Sequence, residues 1–272
     1  KPLSYAVKEY FPGVESIGFQ HSVLYPLQTC LYPASQEWND MPLPDKIVCS
    51  GEFFLDIYLK HGAPRERLVL GPALRFNNLM SKCKNDQDGS SLKVFQKNRI
   101  LIVLPLAEPD ALELAIKSSE ATKLLSANWE LKIGLKLHPM MSVKKLEIIK
   151  TIFCDIQCDM EIVDKPMDEV LPQYSLLITM ASGVIFDGMI EGLPVIRVGR
   201  SHSLNFDPAD YMGSNPYDFR AQTVEQLNTL ICKLLLFDDE ERMGVLNYGR
   251  EFVKESFTPV NEDTLQSFIS TN

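Results

Sequence analysis

Nowhere in the 272 residues does an apolar run approach the roughly 20 that a bilayer-crossing helix needs. The longest, Arg99-Ile-Leu-Ile-Val-Leu-Pro105, has the length of a strand. The charged start, apolar centre and small-residue end of a secretory signal peptide are also missing. The sequence opens on Lys1 rather than on a methionine, in what reads as the middle of a domain, so an upstream portion is expected. Basic residues are short: 27 Lys and Arg stand against 36 Asp and Glu, a net charge of −9. Nucleic acid is thereby excluded as a general partner, because a phosphate backbone is held by clustered Lys and Arg. Any phosphate this protein handles must be bound locally. Cysteine is sparse, and of the six only Cys154 and Cys158 lie close together. Without a second pair of ligands that spacing makes no zinc site, so no metal is expected, and free thiols in a reducing cytosol are the reading. Internal repeats and low-complexity segments are absent. What is present is 45% hydrophobic content over a length sufficient for one large α/β domain or two small ones.

The rhythm along the chain is strand, turn, amphipathic helix. Residues 16–20, 45–50 and 67–71 read as strands, with a helix over 51–61 carrying Phe54, Leu55 and Tyr58 at helical spacing. Alternation of this kind argues for a parallel sheet. Residues 82–91 are polar and without periodicity, so the chain divides into a lobe over 1–80, a linker over 81–98, and a second lobe over 99–272 with C-terminal helices. In that lobe, strands are expected at 99–104, 130–137, 160–163, 175–179 and 194–198. Helices are expected at 107–126, 144–153, 167–173, 183–191, 224–236, 240–255 and 262–269.

Three places carry side chains suited to chemistry. In the first, the strand over 175–179 stops, Ala181, Ser182 and Gly183 make the turn, and a helix begins. Small residues there let a ligand approach the backbone, and the first helical N–H groups favour an anion. Asp187, one turn further on, is within reach of a ribose hydroxyl. The same residues also describe a plain βαβ unit in which Ser182 is an N-cap and Asp187 is solvated. The second place is Lys136-Leu-His-Pro139, at the carboxyl end of a central strand, where ligands of parallel sheets collect. Lys136 and His138 fall on one side of the strand and Pro139 turns the chain. His138 is suited to donate to a phosphate oxygen, or to a structural hydrogen bond. The third place is Gln20, His21 and Ser22, which offer donors, acceptors and a general base together, or a polar loop. Glu52, just past Ser50, is an acid or base if it faces a cleft. Arg197 and Arg200 flank Gly199 and either face a cleft or form a solvated edge. His202 lies in a loop near the same edge and is a further candidate base.

In order and spacing these motifs resemble the GT-B glycosyltransferase superfamily and the related CDP-glycerol glycerophosphotransferases. An early Gln-His-Gly-like motif in the acceptor-side lobe of those families is matched by Gln20-His-Ser22, and a strand ending in Ser before a helix by Ile47-Val-Cys-Ser50. His61-Gly-Ala-Pro-Arg-Glu-Arg-Leu-Val-Leu-Gly-Pro72 is similar to the stretch that leads out of that lobe. The second lobe of the families carries a His-Pro pair, matched by His138-Pro139. It also carries a Ser-containing turn, an acidic residue and Gly-x-Pro, matched by Ser182, Asp187 and Gly192-Leu-Pro194. Two positions depart: Ala181 stands where a second Ser is frequent, and Ser22 where Gly is usual.

The resemblance implies an α/β fold of two Rossmann-like lobes, the first truncated at its N-terminus. It implies a nucleotide-sugar donor in the second lobe and a glycan or lipid-linked glycan acceptor between the lobes. The His-Pro pair is similar to that of bacterial sialyltransferases and Kdo transferases, which implies a CMP-linked donor. Its phosphate would be held by His138 and Ser182, with Lys136, Pro139, Ala181 and Gly183 beside it, and its ribose by Asp187. No metal or other cofactor is implied, and His21 and Glu52 are the catalytic candidates. A cytoplasmic location is implied, with contact to the inner membrane face through the acceptor. Phosphotransfer from CDP-glycerol, sugar-nucleotide epimerisation, and a non-catalytic domain that binds a glycan or partner are the other readings.

Overall fold

The computed structural model describes residues 2–26, 31–85, 98–125, 129–154, 156, 158–205 and 207–269. They form two compact units, Lys1–Asp88 with Glu251–Asn272, and Gly89–Arg250.

In the first unit α1 (Pro2–Tyr10) precedes β1 (Ile17–Gln20), and α2 (Glu37–Asp40) leads to β2 (Lys46–Cys49). After these come α3 (Glu52–Lys60), β3 (Leu68–Leu70) and α4 (Asn77–Asn85). The strands pair in parallel in the order β1-β2-β3. α3 buries Phe54, Leu55, Ile57 and Tyr58, the apolar side of an amphipathic helix. It stops at Gly62, whose φ of +84° places it in the left-handed region that glycine adopts at least cost. Of the linker expected over 81–98, residues 81–85 instead complete α4, and residues 86–97 lie outside the described residues.

Residues 251–272, expected with the second lobe, belong to the first unit. Phe257, 3% exposed, packs its ring 4.3 Å from that of Phe76 and 5.3 Å from that of Phe54. Thr258 donates its N–H to the Ser50 carbonyl and accepts from the Ala73 N–H, both at 2.9 Å. Phe268 meets Phe19 edge to face. Aromatic burial and two backbone hydrogen bonds thus fix the segment against the end of β2.

The second unit runs β4 (Arg99–Val103), α5 (Glu108–Leu125), β5 (Lys132–Lys136), α6 (Val143–Phe153), β6 (Asp159–Val163), α7 (Met167–Val170), β7 (Leu176–Thr179) and α8 (Val184–Ile190). It continues through β8 (Val195–Val198), β9 (Phe219–Ala221), α9 (Val224–Leu235) and α10 (Asp239–Ser256), whose end passes into the first unit before α11 (Glu262–Leu265). All six strands are parallel, in the order β6-β5-β4-β7-β8-β9. The central strands are buried on both faces, which is why their sequences are near-continuous runs of Ile, Leu and Val. On one face Ile100, Ile102, Ile133, Leu135, Ile178 and Ile196 form a core with α5, α6 and α9. On the other, Gly188 of α8 lies against Leu177 and Val195, where no methyl group would fit. Strand β9, absent from the sequence expectations, extends the sheet beyond β8. Chain direction across the sheet reverses between β4 and β7, and ligands of open parallel sheets bind beyond the carboxyl ends at that reversal. No helix among the described residues is long and apolar enough to cross a membrane.

Candidate functional site

Two helices start at the point of reversal, and their approaches differ. The turn from β4 to α5, Leu104-Pro-Leu-Ala107, contains no glycine, and α5 opens with Glu108 and Asp110 in its first turn. Those carboxylates already answer the helix dipole, and Glu108 is matched in turn by Lys145 at 2.9 Å. Asp110 is further occupied by Arg200, which donates from Nε at 2.9 Å and Nη2 at 2.6 Å in a bidentate pair.

The turn from β7 to α8 is open. Ala181 holds φ at +46°, a left-handed conformation that a non-glycine residue adopts at a cost of about 1 kcal/mol or more. Gly183, not Ser182, is the N-cap residue of α8, and Ser182 Oγ accepts from the Val184 N–H at 3.3 Å. That contact uses a lone pair and leaves the hydroxyl hydrogen to donate. The N–H groups of Ser182 and Gly183 have no hydrogen-bond acceptor among the described residues. Asp187 is half-buried on α8, one turn beyond Gly183.

The end of β5 lies two strand spacings from the end of β7, about 10 Å. The strand stops at Lys136, and His138 and Pro139 form the following turn. Lys136 does not share a free side with His138: its Nζ reaches across to the Lys165 carbonyl at 2.5 Å, tying the ends of β5 and β6 together. His138 Nδ1 accepts from the Met140 N–H at 3.2 Å, which places the ring proton on Nε2 as a donor. The exposed Pro139 has no polar group to offer beyond its carbonyl and serves to turn the chain.

Beyond the ends of β7, β8 and β9 lies a small open cleft with a cavity volume of about 60 Å³, walled in part by Ala181, Arg197, Gly199 and Gln222. Arg197 is 6% exposed, so it is neither a solvated edge residue nor free. It pairs with Asp218 and, through Nη1 at 3.0 Å, with Asp207 Oδ2. Burial lowers the pKa of this guanidinium, and Asp207 opposes that shift. The loop after β8 is pinned to α5. Lys117 donates to the Gly199 carbonyl and Glu113 accepts from the Ser201 N–H. Burial of Glu113 opposes ionisation, but the bonds from Lys117 and Ser201 outweigh it and hold the carboxyl below its usual range. His202 is exposed on this loop.

In the first unit the sheet's carboxyl edge carries His21 one residue beyond β1 and Glu52 at the start of α3, beyond the neighbouring β2. Both are exposed. Gln20, read from sequence as a possible ligand contact, is structural and 5% exposed. Its Oε1 accepts from the Ser50 N–H at 3.0 Å and Ser50 Oγ at 2.7 Å, and its Nε2 donates to the Ser22 carbonyl. Gln20→Leu leaves those buried Ser50 donors without an acceptor, and a stability loss of about 1–3 kcal/mol is expected in denaturant titration. His21→Ala should leave stability within about 0.5 kcal/mol, as exposed positions do.

The residues that sequence reasoning missed are Asn205, Asp207, Arg220 and Gln222 of the cleft. β9 has only three residues, and its Phe-Arg-Ala pattern is too short to show a period. One Asp-x-Asp triplet, Asp86-Gln-Asp88, is present in the sequence and lies outside the described residues, so metal independence rests on the resemblance alone.

No protein-family model and no curated protein sequence matches the chain. Solved structures do match. TarM superposes with a TM-score of 0.59 at 12% identity, covering 98% of this chain and 53% of that one. Acinetobacter baumannii MurG gives 0.54 at 12%, covering 97% and 69%. The UDP-GlcNAc 2-epimerase from Neisseria meningitidis bound to UDP-GlcNAc gives 0.52 at 10%, covering 93% and 71%. The chain thus spans about half the length of TarM. At these identities the likeness shows the fold, an α/β chain of two Rossmann-like lobes of the GT-B type.

Proposed function

We propose that the protein is a glycosyltransferase that moves a sugar from a nucleotide donor to a glycan acceptor, with the donor phosphate at the β7–α8 turn. The observation that carries this reading is the convergence of unused donors at the point of sheet reversal. They are the Ser182 and Gly183 N–H groups, the Ser182 hydroxyl hydrogen and the His138 Nε2–H, while the helix start after β4 already carries Glu108 and Asp110 against its dipole. Donors of this kind stabilise the negative charge that gathers on the departing nucleotide. Asp187 is the ribose contact. An acceptor hydroxyl loses its proton to a base as its oxygen bonds to the anomeric carbon. The bond from that carbon to the phosphate oxygen breaks, and the nucleotide leaves with the electron pair. His21 is the base we favour and Glu52 the second candidate.

UDP is the first nucleotide to test, since structural neighbours including a TarM variant and S. aureus MnaA were solved with it. The CMP-linked donor implied by the His138-Pro139 pair is the second. In calorimetric titration of the full chain, His138→Ala is expected to weaken nucleotide binding about 10- to 100-fold, the loss of one charge-assisted hydrogen bond. Binding of UDP or CMP that is unchanged by this substitution contradicts the assignment. Transfer activity that survives His21→Ala removes His21 from the mechanism.

A further inference from the structure

We infer that the cleft beyond β7, β8 and β9 receives a neutral, polyhydroxylated sugar ring and rejects a sugar bearing a carboxylate. The inference rests on the donor reading above and names the class of sugar that the donor carries.

Three guanidiniums wall the cleft, which at first suggests an anion site. Each is already matched. Arg200 is held bidentately by Asp110, Arg197 pairs with Asp207 and Asp218, and Arg220 pairs with Asp210 at 2.5 Å and Asp218 at 2.7 Å. Three positive charges therefore face four carboxylates, and an entering carboxylate finds a surplus of its own sign. Desolvating an anion without a matching cation is costly, whereas hydroxyl groups carry no such penalty.

Hydrogen-bonding capacity is nevertheless left over. It does not come from Arg197, whose Nη1 is buried against Asp207 at 3.0 Å, but from the two amides of the wall. Asn205 spends its Oδ1 on the Arg200 N–H at 2.6 Å, which leaves its amide hydrogens as donors. The Gln222 amide lies over Gly199, close enough that a Cβ there would fall 2.1 Å from Oε1, so the glycine is what admits this side chain to the wall. A mixture of donors and acceptors without net positive charge suits ring hydroxyls. The cleft adjoins Ala181, beside the proposed phosphate seat, so the sugar of a bound donor has only a short distance to reach it.

The test holds the nucleotide constant and varies the sugar. The full chain is titrated calorimetrically with UDP, UDP-glucose, UDP-N-acetylglucosamine and UDP-glucuronate, and separately with CMP-sialic acid. At least one neutral donor is expected to bind about tenfold or more tightly than UDP-glucuronate, a difference of about 1.4 kcal/mol. Asn205→Ala and Gln222→Ala should erase that preference while leaving the affinity for UDP itself unchanged. Equal or tighter binding of UDP-glucuronate, selective binding of CMP-sialic acid, or a preference untouched by both substitutions overturns the inference. If UDP binds but no sugar adds discrimination, only this inference fails; if neither UDP nor CMP binds, the donor reading fails with it.

Discussion

Gly51→Ala is expected to detach the C-terminal segment from the first unit and to lower its stability by on the order of 4 kcal/mol. A Cβ at residue 51 would lie 1.8 Å from the Ser256 carbonyl oxygen, 2.7 Å from its carbon and 3.0 Å from Phe257 Cα. All three are backbone atoms, so no rotamer change relieves the clash, and the segment must move away. Its retreat breaks the two hydrogen bonds made by Thr258 and withdraws Phe257 from Phe54 and Phe76. Removing a buried phenylalanine alone costs about 3–5 kcal/mol. Denaturant titration, with limited proteolysis of the tail as a second readout, measures the effect. Because the two lesions act through one docking event, Phe257→Ala should cost much less in the Gly51→Ala background than alone. A Gly51→Ala protein within about 1 kcal/mol of the parent contradicts this account of the close approach.

Arg197→Ala is expected to destabilise the second unit by about 3 kcal/mol, because it leaves Asp207 charged, 14% exposed and without its cation. Asp218 suffers less, since it is 35% exposed and keeps Arg220. The corresponding fall in melting temperature is on the order of 10 °C for a unit of this size. Restoring the volume without the charge, as in Arg197→Met, should recover little. Pairing Arg197→Met with Asp207→Asn should recover most of the loss, since the uncompensated charge is then gone. Equal stabilities for the single and double variants would show that packing, not charge, is what Arg197 contributes.

The sheet of the second unit was legible because its central strands are buried on both faces. A run such as Ile100-Leu-Ile-Val-Leu104 between Arg99 and Pro105 admits few other readings. The strand ends that carry His138 and Ser182 were legible for a related reason, since proline and small residues mark where a strand stops. Long-range partnership was not legible. Gln20 reads as a polar end-of-strand residue, and only the fold brings Ser50 to it and consumes its acceptor. Arg197 reads equally as an edge or a cleft residue, because Asp207 and Asp218 lie in a loop with no periodicity to place them. The return of residues 251–272 to the first unit depends on the absence of a side chain at Gly51, far upstream, and nothing in the local sequence announces it.

The central claim is that nucleotide phosphate sits at the β7–α8 turn and not at the β4–α5 turn. Titrating UDP and, separately, CMP into isotope-labelled protein and following backbone amide resonances tests it most directly. For the nucleotide that binds, the largest saturable shifts should fall on Ser182, Gly183 and Val184, with a smaller set around His138 and Met140. Shifts centred on Leu106, Ala107 and Glu108, or no saturable shift with either nucleotide, contradict the account.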